Sequence, residues 1–249
     1  MHDPDVPLND SAPHAAELPE RVRAVRERVA AAVARAGRAP DDVLILAVSK
    51  TVDAEMVRGV YELGIKAFGE NRVQEARRKI STLHLPLIRW ELIGHLQTNK
   101  VARAAELFAR IQSVDSPRLA EALNAQAARL GRVLPVLLEV NVAGEASKSG
   151  LTLAEVAAAA RALLALPHLR AEGLMTVAPQ ADDAERVRPV FARLRELRDQ
   201  LRLEAGEGLW QHLSMGMTDD FEVAIEEGAT IVRIGRALFG ERPTAASVA

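Results

Sequence analysis

The 249-residue sequence contains no cysteine, which excludes disulfides, thiolate metal sites and a cysteine nucleophile. It also lacks any uninterrupted apolar stretch of the roughly 18 residues needed to span a membrane, and it opens on no charged-then-apolar leader. An excess of charge is missing too. The 32 basic and 34 acidic residues are interspersed and leave a net charge of −2, without the basic footprint of a nucleic-acid binder. The arginine-dense stretch from Arg186 to Arg202 is diluted by Glu196 and Asp199 and reads as a solvated helix face. No G-x-G-x-x-G turn follows the first strand candidate, which argues against a dinucleotide-binding layout. These absences leave a soluble chain suited to a reducing cytoplasm.

Residues 1–18 carry Pro4, Pro7 and Pro13 among Asp3, Asp5, Asp10 and Glu17, with almost no large apolar side chains. A disordered acidic tail is expected there, followed by one domain over 19–249. From Pro19, the positions Val22, Val25, Val29, Val33 and Ala36 keep helical spacing up to Gly37, predicting a leading helix with one packed stripe. Apolar strand candidates then appear at 43–49, 66–69, 88–93, 110–114, 133–141, 169–175, 209–213 and 229–234. Amphipathic helical stretches separate them, at 53–64, 71–82, 97–107, 117–130, 152–165, 181–204 and 218–227. This rhythm predicts an α/β fold: a single (β/α)8 TIM barrel, in which the loops after the strands build the site and phosphate commonly binds after strands seven and eight.

Lys50 follows the apolar run Val43–Val48, with only Ser49 between. It therefore presents an amine where a buried strand leaves its sheet. Desolvation at an apolar barrel mouth lowers a lysine from its usual value of about 10.4 and yields neutral nucleophile able to attack aldehydes; a lone strand-end lysine can equally well snorkel to solvent. Near the other end of the chain, Leu213–Asp220 and Ala229–Arg236 read as strand ends running into small or hydroxyl residues. Ser214 offers a hydroxyl there, and Gly216 and Gly235 let backbone amides approach an anion. Residues two apart share a strand face, so Leu44, Leu46, Val48 and Lys50 form one set and Ile231, Arg233 and Gly235 another. If both face inward, Lys50 and Arg233 converge at the mouth. The same logic pairs Glu139 with Asn141, read either as a satisfied structural network or as ligand contacts.

Taken together, Ala47-Val-Ser-Lys-Thr51, Phe68-Gly-Glu-Asn71 with Val73-Gln-Glu75, Ile93-Gly-His-Leu-Gln97, Ser147-Lys-Ser-Gly150, Gly173-Leu-Met175, Leu213–Asp220 and Val232-Arg-Ile-Gly235 resemble the pyridoxal phosphate homeostasis proteins, single-barrel relatives of the alanine racemase N-terminal domain. The resemblance spans nearly the whole chain beyond the leading helix. It implies pyridoxal 5'-phosphate as cofactor, held on Lys50 as an internal aldimine, with Arg233 facing the pyridine nitrogen. It also implies that Ser214, Gly216 and the amides near Gly235 and Arg236 hold the phosphate. Asn71 and Met175 match positions near the cofactor, although Asn71 reads equally as a helix N-cap and Met175 as core. Lys148 matches a secondary amine near the pocket. Arg72, Glu91 and Arg236 depart from the family pattern, standing where tyrosine, histidine and threonine are frequent.

An arginine opposite the ring nitrogen leaves that nitrogen unprotonated and the ring a weak electron sink. The tyrosine base of alanine racemase comes from an added domain, and the single tyrosine here, Tyr61, falls in the first barrel helix. The resemblance therefore implies a cytoplasmic protein that binds pyridoxal phosphate in vitamin B6 homeostasis without robust turnover. No catalytic residue and no metal are expected. The expected partners are pyridoxal phosphate and apo pyridoxal-phosphate enzymes, with neither nucleic acid nor membrane, and the chain is expected to be a monomer. Two alternatives are a slow amino-acid racemase and a Schiff-base aldolase with a sugar phosphate in the cup.

Overall fold

The computed structural model describes residues 16–145, 147–206 and 208–241. Eight parallel strands, β1 (Leu44–Val48), β2 (Ala67–Glu70), β3 (Arg89–Leu92), β4 (Arg110–Val114), β5 (Leu134–Glu139), β6 (Leu169–Met175), β7 (His212–Ser214) and β8 (Ile231–Ile234), close in sequence order into a barrel. The outer helices are α2 (Ala54–Glu62), α3 (Val73–Thr82), α4 (Val101–Leu107), α5 (Pro117–Arg129), α6 (Leu153–Leu164), α7 (Arg188–Ala205), α8 (Phe221–Glu226) and α9 (Arg236–Phe239), and the leading helix α1 spans Leu18–Arg35. No helix among the described residues is long and apolar enough to cross a membrane.

Parallel strands covered on both faces need apolar side chains on both, and the alternation sorts them. Leu46, Ala67, Leu137, Met175 and Ile231, with Leu44 and Ile93, fill the barrel interior. The intervening Ala47, Phe68, Val136, Leu138, Leu174, Val232 and Ile234 join the larger core between sheet and helices. Leu44 pairs with Ile231 and Leu46 with Arg233, so Arg233 points inward as the period-two reading expects. α1 buries Leu18, Val22, Val25, Val29 and Val33 on one stripe, and Arg28 stacks 4.5 Å over the Phe221 ring while pairing with Glu222 at 2.8 Å. The arginines of α7 are less solvated than expected: Arg188 pairs with Glu226 at 2.7 Å and Glu227 at 3.1 Å, and Arg195 also pairs with Glu227, tying α7 to the short α8.

Several boundaries differ from the sequence reading. The expected tail of residues 1–18 lies outside the described residues as far as residue 15, and Leu18 is already buried in α1. Strand seven, expected at 209–213, runs from His212 to Ser214. Trp210 adopts a positive φ of 55° with its side chain fully buried, and this left-handed turn delays the strand. The helix expected at 97–107 opens with a 3-10 turn over Thr98–Lys100, and the one expected at 181–204 starts at Arg188 after another at Ala184–Val187. β5 ends at Glu139, which leaves Asn141 in the following loop.

Where β6 and β7 meet, a Cβ on Gly173 would lie 1.9 Å from the His212 carbonyl oxygen. No flexible side chain can yield at that contact, because both partners are backbone. Gly173→Ala is expected to lower unfolding free energy by about 1–3 kcal/mol through overpacking, measured by urea denaturation. A wild-type midpoint would show that the two strands separate freely.

Candidate functional site

Lys50 leaves β1 half-buried, between two residues that are both anchored. On one side, the buried Ser49 hydroxyl donates to Glu70 Oε1 at 2.6 Å. Lys79 Nζ donates to that same oxygen at 2.7 Å, to Glu75 Oε1 at 2.8 Å and to the Ser49 carbonyl. On the other side, Thr51, held at a positive φ of 64°, donates its amide to Glu75 Oε1. Burial pushes the Glu70 carboxyl up, against the pull of Lys79 and Ser49. Burial acts on Glu75 in the same direction, but the bonds from Lys79 and Thr51 prevail and hold it below its ordinary range. Sequence reasoning missed Lys79, Glu70 and Glu75 as site-forming residues. The available signal was a lysine three residues beyond Val73 and Ala76 on the buried face of α3.

Arg233 is 4% exposed inside the barrel. One guanidinium nitrogen donates to the Ser214 carbonyl at 2.7 Å and the Ser214 hydroxyl at 2.9 Å, and the other to the Thr176 carbonyl at 2.7 Å. Burial lowers the guanidinium to about 10, with Asp220 and Glu139 opposing, so it remains a cation at neutral pH. Ser214 lies at the end of β7 rather than in the loop beyond. Its hydroxyl donates onward to Gln112 Oε1 at 2.6 Å, and Gln112 Nε2 donates to Glu91 at 2.6 Å. Arg110 completes the line, 3.4 Å from Glu91 and 2.7 Å from Glu172. Glu91, one of the departures from the family pattern, is thus fully buried and two hydrogen bonds from Ser214.

The two loops expected to cradle an anion do meet. Thr218, after β7, lies with its hydroxyl 3.4 Å from the Ala237 amide in the first turn of α9. Gly216 holds a φ of 90°, and a Cβ there would meet Ala224 Cβ at 2.6 Å. Gly235 caps α9 with its Cα side facing Val48. The Arg236 side chain turns outward to Asp219 and to Glu241 at 3.3 Å, so only its backbone addresses the mouth. Met175 is fully buried in the inner cluster. Asn71 does not cap α3, because Arg72 occupies that position. Its Oδ1 is buried without a hydrogen-bond partner. Its backbone is packed so closely that a Cβ on Gly94 would lie 2.4 Å from its carbonyl oxygen.

Glu139 and Asn141, which the sequence treats alike, separate here. Asn141 is satisfied: its amide donates to the Glu145 carbonyl at 2.8 Å and accepts from the Glu145 amide at 3.2 Å. It thereby shapes the loop in which Lys148 pairs with Glu145 at 2.8 Å. Glu139, inward-facing two residues beyond Leu137, is 9% exposed and has one carboxylate oxygen, Oε2, with no partner. Burial, reinforced by Asp115 and opposed by Arg233 and His95, pushes it up to about 7. An amine at Lys50, a buried cation at Arg233, two converging loops and an unpartnered acceptor oxygen on Asn71 fit a phosphorylated aromatic aldehyde.

Between its ordinary 4.5 and about 7, the folded carboxyl of Glu139 keeps a proton that the unfolded chain has released. Each step up in pH across that window therefore favours unfolding, and the stability contributed below 4.5 is lost by about pH 7. Glu139→Gln stays neutral throughout. Its unfolding free energy relative to wild type is expected to rise by roughly 2–3 kcal/mol between about pH 5 and pH 8, read from denaturation at both pH values. A constant difference would refute the raised titration.

The family model of the alanine racemase N-terminal domain matches residues 21–243. The pyridoxal phosphate homeostasis protein of Aquifex aeolicus is 47% identical over 223 residues, 90% of this chain and 97% of the relative. That of Pseudomonas aeruginosa is 46% identical over 226 residues, covering 90% and 96%. Among solved structures, PipY of Synechococcus elongatus with pyridoxal phosphate bound superposes with a TM-score of 0.79 at 37% identity, covering 90% of this chain and all of that one. Alanine racemase from Corynebacterium glutamicum, 18% identical with a TM-score of 0.70, shares the fold over 62% of its length. By fold, motif and overall identity, this chain belongs to the pyridoxal phosphate homeostasis protein family.

Proposed function

We propose that this chain binds pyridoxal 5'-phosphate and takes part in intracellular vitamin B6 homeostasis, with Lys50 as the point of covalent attachment. The observation that carries this reading is the clamp around Lys50. Ser49 and Thr51 are both fastened to the Glu70–Lys79–Glu75 network, which fixes the backbone on either side of Lys50 and supports its role as the anchored amine. When bound, the cofactor supplies an aldehyde carbon that accepts the lysine nitrogen and loses its oxygen as water. The protein's own residues do the holding. Arg233, fixed by Ser214 and Thr176, would set a permanent cation opposite the pyridine nitrogen. The backbones of Gly216, Gly235 and Arg236 line the corner for the phosphate, and Ser214 serves by aiming Arg233. Asn71 contributes its unpartnered oxygen and Met175 the apolar floor. Lys148, paired with Glu145, is a second amine for arrival and departure of the aldehyde.

Binding without robust turnover is favoured by the position of Tyr61. Its hydroxyl donates to the Pro86 carbonyl at 2.5 Å, in the loop that precedes β3 and away from the strand ends that carry Lys50. It cannot act as the second base that a racemase needs. The reading extends to a cytoplasmic monomer that passes the cofactor to apo pyridoxal-phosphate enzymes.

Borohydride reduction of the protein loaded with pyridoxal phosphate is expected to fix the label on the peptide containing Lys50. Lys50→Ala should lose that label yet fold, since a strand-end lysine leaves no large cavity. Pyridoxal phosphate, unlike pyridoxal, should still raise its melting temperature. Label on another lysine with Lys50 free would overturn the assignment. Arg233→Ala is expected to cost about 3 kcal/mol or more, because it removes three buried charge-assisted hydrogen bonds and leaves the Thr176 carbonyl without its partner, and to abolish cofactor retention; denaturation and equilibrium dialysis read the two effects.

A further inference from the structure

We infer that Glu139 is a proton-transfer residue for amine exchange at Lys50, taking a proton from an incoming primary ammonium and returning it to the lysine nitrogen as that leaves. The inference rests on the binding reading above and names what that site does with a second amine.

The geometry comes first. β1 and β5 lie on opposite sides of an eight-stranded ring, so inward side chains at their C-terminal ends converge over one mouth. Glu139 is the last residue of β5 and belongs to the inward set with Leu137. It is nine-tenths buried, yet Oε2 has no partner, whereas buried carboxylates are normally hydrogen-bonded. The charged groups facing it are Asp115 after β4, His95 after β3 and Arg233 on β8. Asp115 Oδ2 lies 3.0 Å from His95 Nδ1, and His95 is more than half exposed on the wall of an open cleft of about 760 Å³ that also borders Asn71, Gly94 and Lys100. Asp115 and His95 are therefore paired at the cleft and act electrostatically on the carboxyl inside the mouth.

The chemistry supplies a use. A primary amine is an ammonium near neutral pH and carries no lone pair until it loses a proton. Glu139, titrating at about 7, accepts that proton as a carboxylate. The freed lone pair would add to the carbon doubly bonded to Lys50 Nζ as one of those two bonds moves its electrons onto Nζ. The added nitrogen would then pass a further proton to Nζ and take up the double bond as the remaining carbon–Nζ bond breaks, so that Nζ leaves as an amine with that proton and the one from Glu139, the carboxylate is restored and no oxidant or reductant is consumed. Position and titration near neutrality are what general acid–base transfer requires.

The test uses the full chain loaded with pyridoxal phosphate and compares wild type with Glu139→Gln. Loss of protein-bound cofactor is timed with glycine, an ammonium at pH 7, and with hydroxylamine, which is neutral there and needs no base. Glycine exchange is expected to fall by about 100-fold in Glu139→Gln and to lose its pH dependence near neutrality, while hydroxylamine exchange stays near wild type. Equal slowing with both reagents, or wild-type rates with both, would overturn the inference. Infrared spectroscopy of the ligand-free protein supplies a second readout. A protonated carboxyl band should titrate near pH 7 in wild type, vanish in Glu139→Gln, and shift to lower pH in Asp115→Asn, where the neighbouring like charge is gone; a band indifferent to Glu139→Gln would also overturn it. Wild-type protein that never takes up pyridoxal phosphate would defeat the binding reading and this inference with it. Uptake with unchanged glycine exchange would defeat this inference alone.

Discussion

The buried guanidinium of Arg233 is the constraint on which the mouth of this barrel depends. β7 is three residues long and shares a single registered pair with β8, Ser214 with Ile231. Backbone pairing there is at its thinnest in the ring. Arg233 compensates by reaching from β8 across β7 to the carbonyl that follows β6, bonding Ser214 and Thr176 at 2.7 Å each. A desolvated cation is costly unless its donors find acceptors, and the strand-end carbonyls of Ser214 and Thr176 supply them. One side chain therefore closes the sheet and places a fixed positive charge under the space where the loops meet.

The clamp on Lys50 follows the same logic at the neighbouring strand end. Lys79 delivers an ammonium to the Ser49 carbonyl and to two carboxylates, so again a buried cation finishes a strand end. Such networks contribute little to net stability, because desolvation offsets most of the attraction. Their effect is positional. A site held to fractions of an ångström requires supporting side chains whose own orientations are locked, and here one network fixes the residues that flank Lys50 while the other fixes the Arg233 guanidinium. The two lie on adjacent strands, since β1 pairs with β8.

What the sequence made legible is whatever depends on period and order. Eight apolar runs separated by amphipathic stretches fix the barrel, and alternation along β1 and β8 brings Leu46 and Arg233 to the same inner layer. The choice of Lys50 followed from a polar residue ending an apolar run. What stayed hidden is pairing between distant segments. Ser214 looks like an available hydroxyl until Gln112, 102 residues away, and Arg233 are seen to occupy it. Lys79 looks like one more surface lysine until its helix is docked. Trp210 shifted strand seven because a left-handed turn at a tryptophan breaks the usual steric preference, and only the packing that buries its ring makes the turn tolerable.

Glu139 and Asn141 show how one pattern can conceal opposite roles. Both are polar residues two apart at the end of a buried strand, and neither periodicity nor composition distinguishes them. Glu145 lies against Asn141 and satisfies its side-chain amide; no group hydrogen-bonds the buried Glu139 Oε2. A chain selected for stability alone would place a neutral or apolar side chain at that position, because an unpartnered carboxyl buried beside Asp115 lowers stability as pH rises through neutrality. Retaining the acid against that pressure is the pattern expected where local rules yield to a functional demand. Because Arg233 lies near enough to oppose the upward shift without abolishing it, the residue that closes the barrel also holds this carboxyl near neutrality, in the range where it can both take up and release a proton.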